Sequence, residues 1–263
     1  MILLKVLLTS FLIISLALVA KKLSSRLAGL ISALPMGTAL MLFFYGMEQG
    51  PTYVSEVANY NILGLSASIS FVIFYFIGSK LFTDPLKSLL SAIFLSFSAY
   101  LLIAYGLSLI PEVSAVLASV ILLSSISLAV FLFRNIKTNT LKVSNNTKNS
   151  VLIIRSLIAS SFIIILSFAP LYLPSSLAGV ASSFPSVVAP LLIIIHFSFG
   201  KQSLYEAIKV MPLGYISILV YSLSVGKSYL YFGVYWGTLA SFALAMTYIV
   251  FLQLTLKYLS SKA

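Results

Sequence analysis

The chain has 263 residues, of which 60% are hydrophobic and 8% charged, with a formal net charge of +11. About a quarter of the residues in a soluble domain are charged, so this composition excludes a soluble domain. It predicts an all-α, multi-pass protein of the plasma (cytoplasmic) membrane. With no cysteine and only His196, disulfides, thiolate chemistry and imidazole metal sites are excluded. The positive charge favours basic cytoplasmic loops over a nucleic-acid surface.

Nine stretches are apolar over about the 20 residues that a membrane-spanning helix needs. These predicted spans 1 to 9 cover 2–20, 27–46, 58–78, 88–107, 113–133, 151–171, 177–197, 206–225 and 230–254. Span 1 could instead be a signal peptide, but it matches an internal span 150 residues later and is therefore kept. Residues 134–150 are polar and predict a flexible loop, whose sequon at 145–147 is discounted because the loop is expected in the cytoplasm.

When the nine predicted spans are threaded through the membrane in order, most basic residues fall on the same side. Thirteen of the sixteen fall on one side, from Lys21 to Lys262, while Lys5 and Lys227 fall on the other. Arg155 lies one turn inside span 6 and can snorkel to the basic side. The positive-inside rule then predicts an external N-terminus and a cytoplasmic C-terminus.

The chain also matches itself at an offset of 150 residues. Residues 27–64 and 177–214 share eleven identities in 38 pairs, where chance would give roughly three or four in this composition. Five spans separate equivalent positions, so the second copy is turned upside down. The sequence therefore predicts two inverted four-helix repeats joined by a connecting helix (4+1+4), with domains at 1–107, 108–134 (the connecting helix), 135–150 (the loop) and 151–263.

A proline lies at the same depth in spans 2 and 7. Pro35 is eight residues, or about 12 Å, into its span, and Pro185 is equally deep from the opposite face, so the two should approach each other near the midplane. Each should free the carbonyl four residues earlier, Ile31 or Ala181, and start a half-helix whose positive dipole end can receive a polar or anionic group. The alternative is two ordinary proline kinks.

Small polar residues flank both prolines and complete a candidate substrate-binding site. Its predicted members are Ser32, Pro35, Thr38, Ser182, Pro185 and Ser186. Further hydroxyl groups that could contribute are those of Tyr45, Ser160 and Ser161. Gly29 and Gly179 are interpreted as sites of close helix packing.

Charged residues near the span ends have two interpretations. Glu56 and Glu206 either complement helix dipoles or act as gates at opposite mouths. Glu48 is expected to be solvated, and His196 to be interfacial, with a proton-linked role as the alternative. All five acidic residues lie in loops or at span ends, which disfavours a carboxylate-centred cation site and favours a neutral or anionic solute.

Residues 26–50, which read RLAGLISALP and end in EQG, resemble a segment of the GlpM-like small inner-membrane proteins. The resemblance recurs more weakly at 176–200, where Ser198 and Phe199 replace Glu48 and Gln49. It implies a four-helix unit with an Ala-Gly…Pro second helix and no defined activity. By layout, the chain is also similar to the drug/metabolite transporter superfamily, whose members fuse inverted repeats.

These patterns predict a secondary transporter of a small neutral or anionic solute, without catalytic residues, cofactor or metal. A non-transporting scaffold or assembly component and a channel are the alternatives. The expected partners are the lipid bilayer and the solute, with no nucleic acid; a homodimer is left open.

Overall fold

The structure is a computed structural model that describes residues 5–12, 15, 34–136 and 149–260. Within these ranges the chain is helical and contains no β-strand. Residues 5–12 are helical, and the following helices are α1 (Met36–Gln49), α2 (Pro51–Lys80), α3 (Pro85–Ser108), α4 (Ala115–Phe133), α5 (Asn149–Leu166), α6 (Ala169–Tyr172) and α7 (Ser175–Ser182). The last helical stretch, Val188–Ser260, has non-helical backbone at Gly200 and Gly233, which separate α8 (188–199), α9 (201–232) and α10 (234–260).

Four helical stretches of the described chain are long and apolar enough to cross a membrane. They are Pro51–Lys80, Pro85–Ser108, Ala115–Phe133 and Val188–Thr255. The predicted membrane-protein class is therefore supported, while nine separate crossings and the 4+1+4 layout stay predictions. Observed helix boundaries also differ from the predicted ones, since α2 begins at Pro51 instead of residue 58. Pro212 lies well inside α9 and does not mark its start.

Helix α2 forms the centre of the molecule. In its most apolar 18-residue window 83% of the residues are buried, against 28% in α3 and α4. Small residues explain this position, because they let neighbouring backbones approach closely. A Cβ atom on Gly64 would lie 2.8 Å from the Cα atom of Val180, and one on Gly78 would lie 2.7 Å from that of Ala92.

Hydrogen bonds define the directions of the helices around α2. Asn61 bonds to Ser182 and Tyr75 to His196, so α2 runs parallel to the α7–α8 segment. Asn61 also bonds to Ser222, while the carbonyl of Ser68 accepts from Tyr215, so α2 and α9 are antiparallel. In this register residues 61–68 of α2, Ser66 among them, lie along residues 215–222 of α9.

Two tight turns occur at glycines that are 150 residues apart in the sequence. Gly50 joins α1 to α2 with φ 88° and ψ 168°, and Gly200 joins α8 to α9 with φ 75° and ψ −176°. This region of backbone space is essentially restricted to glycine. The self-match of the sequence is therefore accompanied by the same unusual backbone at equivalent residues.

Charged residues separate toward the two ends of the bundle. One end, called the basic end, carries Lys80, Lys87, Arg134, Lys201 and Lys209. The Lys201 ammonium donates to the carbonyl of Phe82 at 2.5 Å, and the Lys209 ammonium to that of Ile136 at 2.7 Å. The opposite end, called the acidic end, carries Glu48, Glu56 and Glu112 together with Lys5 and Lys227, while Asp84 and Glu206 lie at the basic end.

Candidate functional site

The helix of predicted span 7 is broken at Pro185. Helix α7 ends at Ser182, and regular helix resumes at Val188. Between them, the N–H of Ser183 donates to the carbonyl of Val180 at 3.1 Å and that of Phe184 to the carbonyl of Ala181 at 3.0 Å. The expectation that Pro185 would free the carbonyl of Ala181 is therefore wrong, because the chain turns before the proline and supplies a donor.

The backbone around Pro35 has the same local geometry. The N–H of Met36 donates to the carbonyl of Leu34 at 2.8 Å, and that of Ala39 to the carbonyl of Pro35 at 2.7 Å. At the offset of 150, Ser186 donates to Phe184 and Ala189 to Pro185, each at 2.7 Å. Both prolines are buried, and each precedes a new helix.

The starts of α1 and α8 lie in contact; the residues before Leu34, Ile31 among them, lie outside the described part of the chain. A Cβ atom on Gly37 would lie 2.7 Å from the Oγ atom of Ser186 and 3.6 Å from a side-chain methyl of Val187. Gly37 and Val187 are equivalent at the offset of 150. Helices α1 and α8 both begin near this contact, so the positive ends of their dipoles lie there. In the first turn of α8 the N–H of Ala189 already donates to the carbonyl of Pro185, and Pro190 has no N–H.

A chain of buried polar side chains lies beside the second break. The Nδ2 atom of Asn61 donates to the Oγ atom of Ser182 at 2.6 Å, and the Ser222 hydroxyl donates to the Oδ1 atom of Asn61 at 2.7 Å. All three residues are fully buried. Ser182 also donates to the carbonyl of Gly179 at 2.6 Å, which fixes its orientation.

Several buried hydroxyl groups of the described residues have no hydrogen-bond partner. The Oγ atoms of Ser186, Ser66 and Ser160 are buried and form no hydrogen bond. An unpaired buried hydroxyl costs about 1–3 kcal/mol of free energy by mutational measures. Ser186 stands directly at the contact of the two breaks, and Ser66 at the crossing of α2 and α9. These groups could bind an entering polar molecule at no cost in existing hydrogen bonds.

The other predicted binding residues have different surroundings. Thr38 is buried in the first turns of α1, and Ser32 lies outside the described residues. The Tyr45 hydroxyl donates to the carbonyls of Leu166 at 3.0 Å and Ala178 at 3.3 Å, so it clamps helices together. Ser161 is exposed and bonds within its own helix.

The predicted gating residues lie at opposite ends of the bundle. Glu56 is exposed at the acidic end, where its carboxylate accepts from the Ser175 hydroxyl at 2.6 Å. This bond ties α2 to the first residue of α7. Glu206 is half-buried at the basic end, and its Oε1 atom is buried without a partner.

His196 is buried among helices near the basic end, and its predicted interfacial depth stays a prediction. It is 5% exposed, with the Tyr75 hydroxyl 3.4 Å from Nδ1 and the Ser88 hydroxyl 3.2 Å from Nε2. These contacts join α2, α3 and α8, so the imidazole connects three helices.

The sequence analysis missed a buried ion pair at the acidic end. The Lys5 ammonium lies 2.9 Å from Oε2 of Glu48 and donates to the carbonyl of Ser167 at 3.1 Å. The Lys5 side chain is 0% exposed and that of Glu48 15%, so Glu48 is not the solvated residue that its position predicts. The ring of Phe168 covers the ammonium at 4.1 Å from the ring centroid.

Within the described ranges, no group of three or more acidic or histidine side chains could hold a metal ion. The polar groups at the breaks are hydroxyls, one amide and helix N-termini, which suit hydrogen bonding to a neutral or anionic solute. Comparison with family models, with curated proteins and with solved structures finds no match to this chain.

Proposed function

We propose that this protein is a secondary transporter that moves a small neutral or anionic solute through the plasma membrane by alternating access. The solute site lies between the two proline-broken helices, at the contact of Gly37 with Ser186. One observation carries the proposal: the buried Ser186 hydroxyl has no partner, and it stands where two helix N-termini meet. Transporters with inverted repeats bind their substrates at such paired breaks.

The proposed architecture has nine crossings, an external N-terminus and two inverted repeats. Three observations support the repeat. The two proline turns have matching hydrogen bonds, the turns at Gly50 and Gly200 share an unusual backbone, and α2 crosses its equivalent, α9, in an antiparallel register. The separation of basic and acidic ends supports the orientation, with the basic end in the cytoplasm.

Alternating access assigns roles to the two glutamates. In this proposal Glu56 closes the acidic end through its hydrogen bond to Ser175. Glu206 has an unpartnered carboxylate oxygen at the basic end, so the gate at that end is open. The solute then reaches the breaks from the side whose gate is open. Ser182 and Asn61 form the wall of the site that stays fixed.

A non-transporting scaffold is the second candidate. Its support is the dense packing of α2 against α7, where Gly64 and Gly179 leave no room for a side chain. Polar groups such as Asn61 would then serve only to join helices. The two functions differ in whether the breaks must stay available to a solute.

The double substitution Pro35→Ala/Pro185→Ala separates these functions. Alanine restores an N–H and favours continuous helix, which removes the two N-termini from the site. We expect the variant to insert and fold but to lose transport of whichever solute an unbiased uptake and efflux screen of a deletion strain identifies. Pro212→Ala, which alters a proline inside α9 away from both helix starts, is the matched control and should retain transport. Full transport by the double variant would refute the site.

A further inference from the structure

A separate pocket of about 230 Å³ opens at the basic end of the bundle, away from the two breaks. It lies between the last turns of α2, the end of α4 and the first turns of α9. Its lining consists of Phe76, Lys80, Leu132, Asn135, Ile136, Gln202 and Tyr205. No aspartate or glutamate lines it, so the pocket combines one cation, two amides and a phenol with apolar walls.

Lys80 differs from the other lysines around this pocket. Lys201 and Lys209 each donate to a backbone carbonyl, of Phe82 and Ile136 respectively. The Lys80 ammonium instead stands 3.8 Å from the ring centroid of Phe76 and 5.9 Å from that of Tyr205. Among the described residues it has no hydrogen bond and no ion pair, so its charge is available to a ligand.

The chemistry of the lining favours a phosphate group. Lysine binds phosphate as a point charge, and a phosphate offers more oxygen acceptors than a carboxylate does. The amide groups of Asn135 and Gln202 and the hydroxyl of Tyr205 can donate to the further oxygens that a phosphate offers. A tetrahedral anion fits this set of donors, which come from the end of α2, the turn after α4 and the first turns of α9.

The surface beside the pocket accommodates an acyl chain. Leu132 lines the pocket and is 43% exposed, and its neighbours on the same helix, Leu128 and Phe131, are 54% and 56% exposed. The outer face of α4 is therefore an apolar strip that runs from the pocket along a helix long enough to cross the membrane. Basic pockets between membrane helices are known sites for anionic lipid headgroups.

We propose that the pocket of Lys80, Asn135, Gln202 and Tyr205 binds a phosphate ester, with the phosphate group of an anionic phospholipid as its source. Lys80 neutralises the phosphate, the neutral donors orient it, and the acyl chains lie along α4. This site is distinct from the proposed solute site, and it does not depend on transport.

Lipid retention by the purified full-length protein tests this proposal. Native mass spectrometry compares bound phosphatidylglycerol with bound phosphatidylcholine at equal concentrations. We expect a preference of about fivefold for phosphatidylglycerol, the effect of one lysine at a lipid surface, because the choline cation of phosphatidylcholine already offsets the phosphate charge that Lys80 would neutralise. Lys80→Gln should abolish the preference, and Lys87→Gln, an exposed lysine of the same end, should preserve it. Leu132→Trp, which fills the pocket without removing charge, should also reduce binding.

A soluble competitor identifies the source of the phosphate. If glycerol 3-phosphate displaces phosphatidylglycerol at similar concentrations, the pocket binds phosphate esters without needing a chain. If only lipid competes, the strip on α4 contributes to binding and the ligand is a phospholipid. Equal retention of the two lipids by the native protein, or an unchanged preference in Lys80→Gln, would overturn the proposal.

Discussion

Replacing Lys5 by methionine should destabilise the protein by about 3 kcal/mol, the lower end of the cost of removing one partner from a buried ion pair. Methionine keeps the length of the side chain but removes the charge. Glu48 would then lose its cation while only 15% exposed, and the carbonyl of Ser167 would lose a donor. The lower end applies because the remaining exposure of Glu48 lets water screen part of its charge.

A double-mutant cycle separates the ion pair from simple packing. The variant Lys5→Met/Glu48→Gln removes both charges, so it should recover most of the lost free energy of unfolding. Lys227→Met is the control, because Lys227 is an exposed lysine at the same end, and it should change stability little. The measurement is the denaturant midpoint of the protein in lipid or detergent. If Lys5→Met were as stable as the native protein, the buried ion pair between Lys5 and Glu48 would not contribute to stability, and this prediction would be wrong.

Gly179→Ala should lower the free energy of unfolding by an amount comparable to that of Lys5→Met, but through packing. The expected loss is about 1–3 kcal/mol, which is typical of an overpacked interior. A Cβ atom there would lie 2.5 Å from the Cβ atom of Tyr60 and 2.8 Å from the carbonyl oxygen of Val57. Neither atom is the end of a flexible side chain, so α2 and α7 must move apart. The hydrogen bond from Asn61 to Ser182, which crosses this interface, should lengthen with them.

Gly106→Ala is the matched control for this substitution. Gly106 lies in α3, and a Cβ atom there would meet nothing within 4 Å. Alanine in an exposed helix should be neutral or slightly stabilising. Unfolding midpoints of the two variants in the same detergent give the comparison. If Gly179→Ala were as stable as Gly106→Ala, α2 and α7 would not be in close contact.

The sequence could predict features that depend on local pattern. Hydropathy is enough to indicate a helical membrane protein, and Pro185 is enough to indicate where span 7 breaks. The matching break at Pro35 stays a prediction, because the residues before Leu34 lie outside the described ones. Gly179 was correctly interpreted as a site of close helix packing. These predictions succeed because proline and glycine act on the backbone within a few residues of their own position.

Features that depend on distant contacts could not be predicted. Lys5 and Glu48 are 43 residues apart, and no spacing indicates that they meet. Asn61 did leave a signal, since an amide within the apolar run of α2 is expensive unless it has partners. Its partners, Ser182 and Ser222, are ordinary serines that only the tertiary packing brings together.

The carbonyl of Ala181 illustrates a further limit. A proline in a regular helix leaves the carbonyl four residues earlier without a donor. In the structure the helix has already ended at Ser182, so the N–H of Phe184 turns back and satisfies that carbonyl. The sequence predicted that the helix breaks, but the shape of the break follows from the whole segment 183–187.

Labelling of a single cysteine at Ser186 tests the central claim most directly, because the native chain contains no cysteine. If the breaks form a solute site with alternating access, a membrane-impermeant thiol reagent should label Ser186→Cys when applied from either side. In a chain that also carries Glu56→Ala, which removes the bond that closes the acidic end, labelling from the acidic end should become faster, and labelling from the basic end should become slower. Protection of Ser186→Cys from both sides, in membranes where Lys87→Cys reacts, would contradict the account.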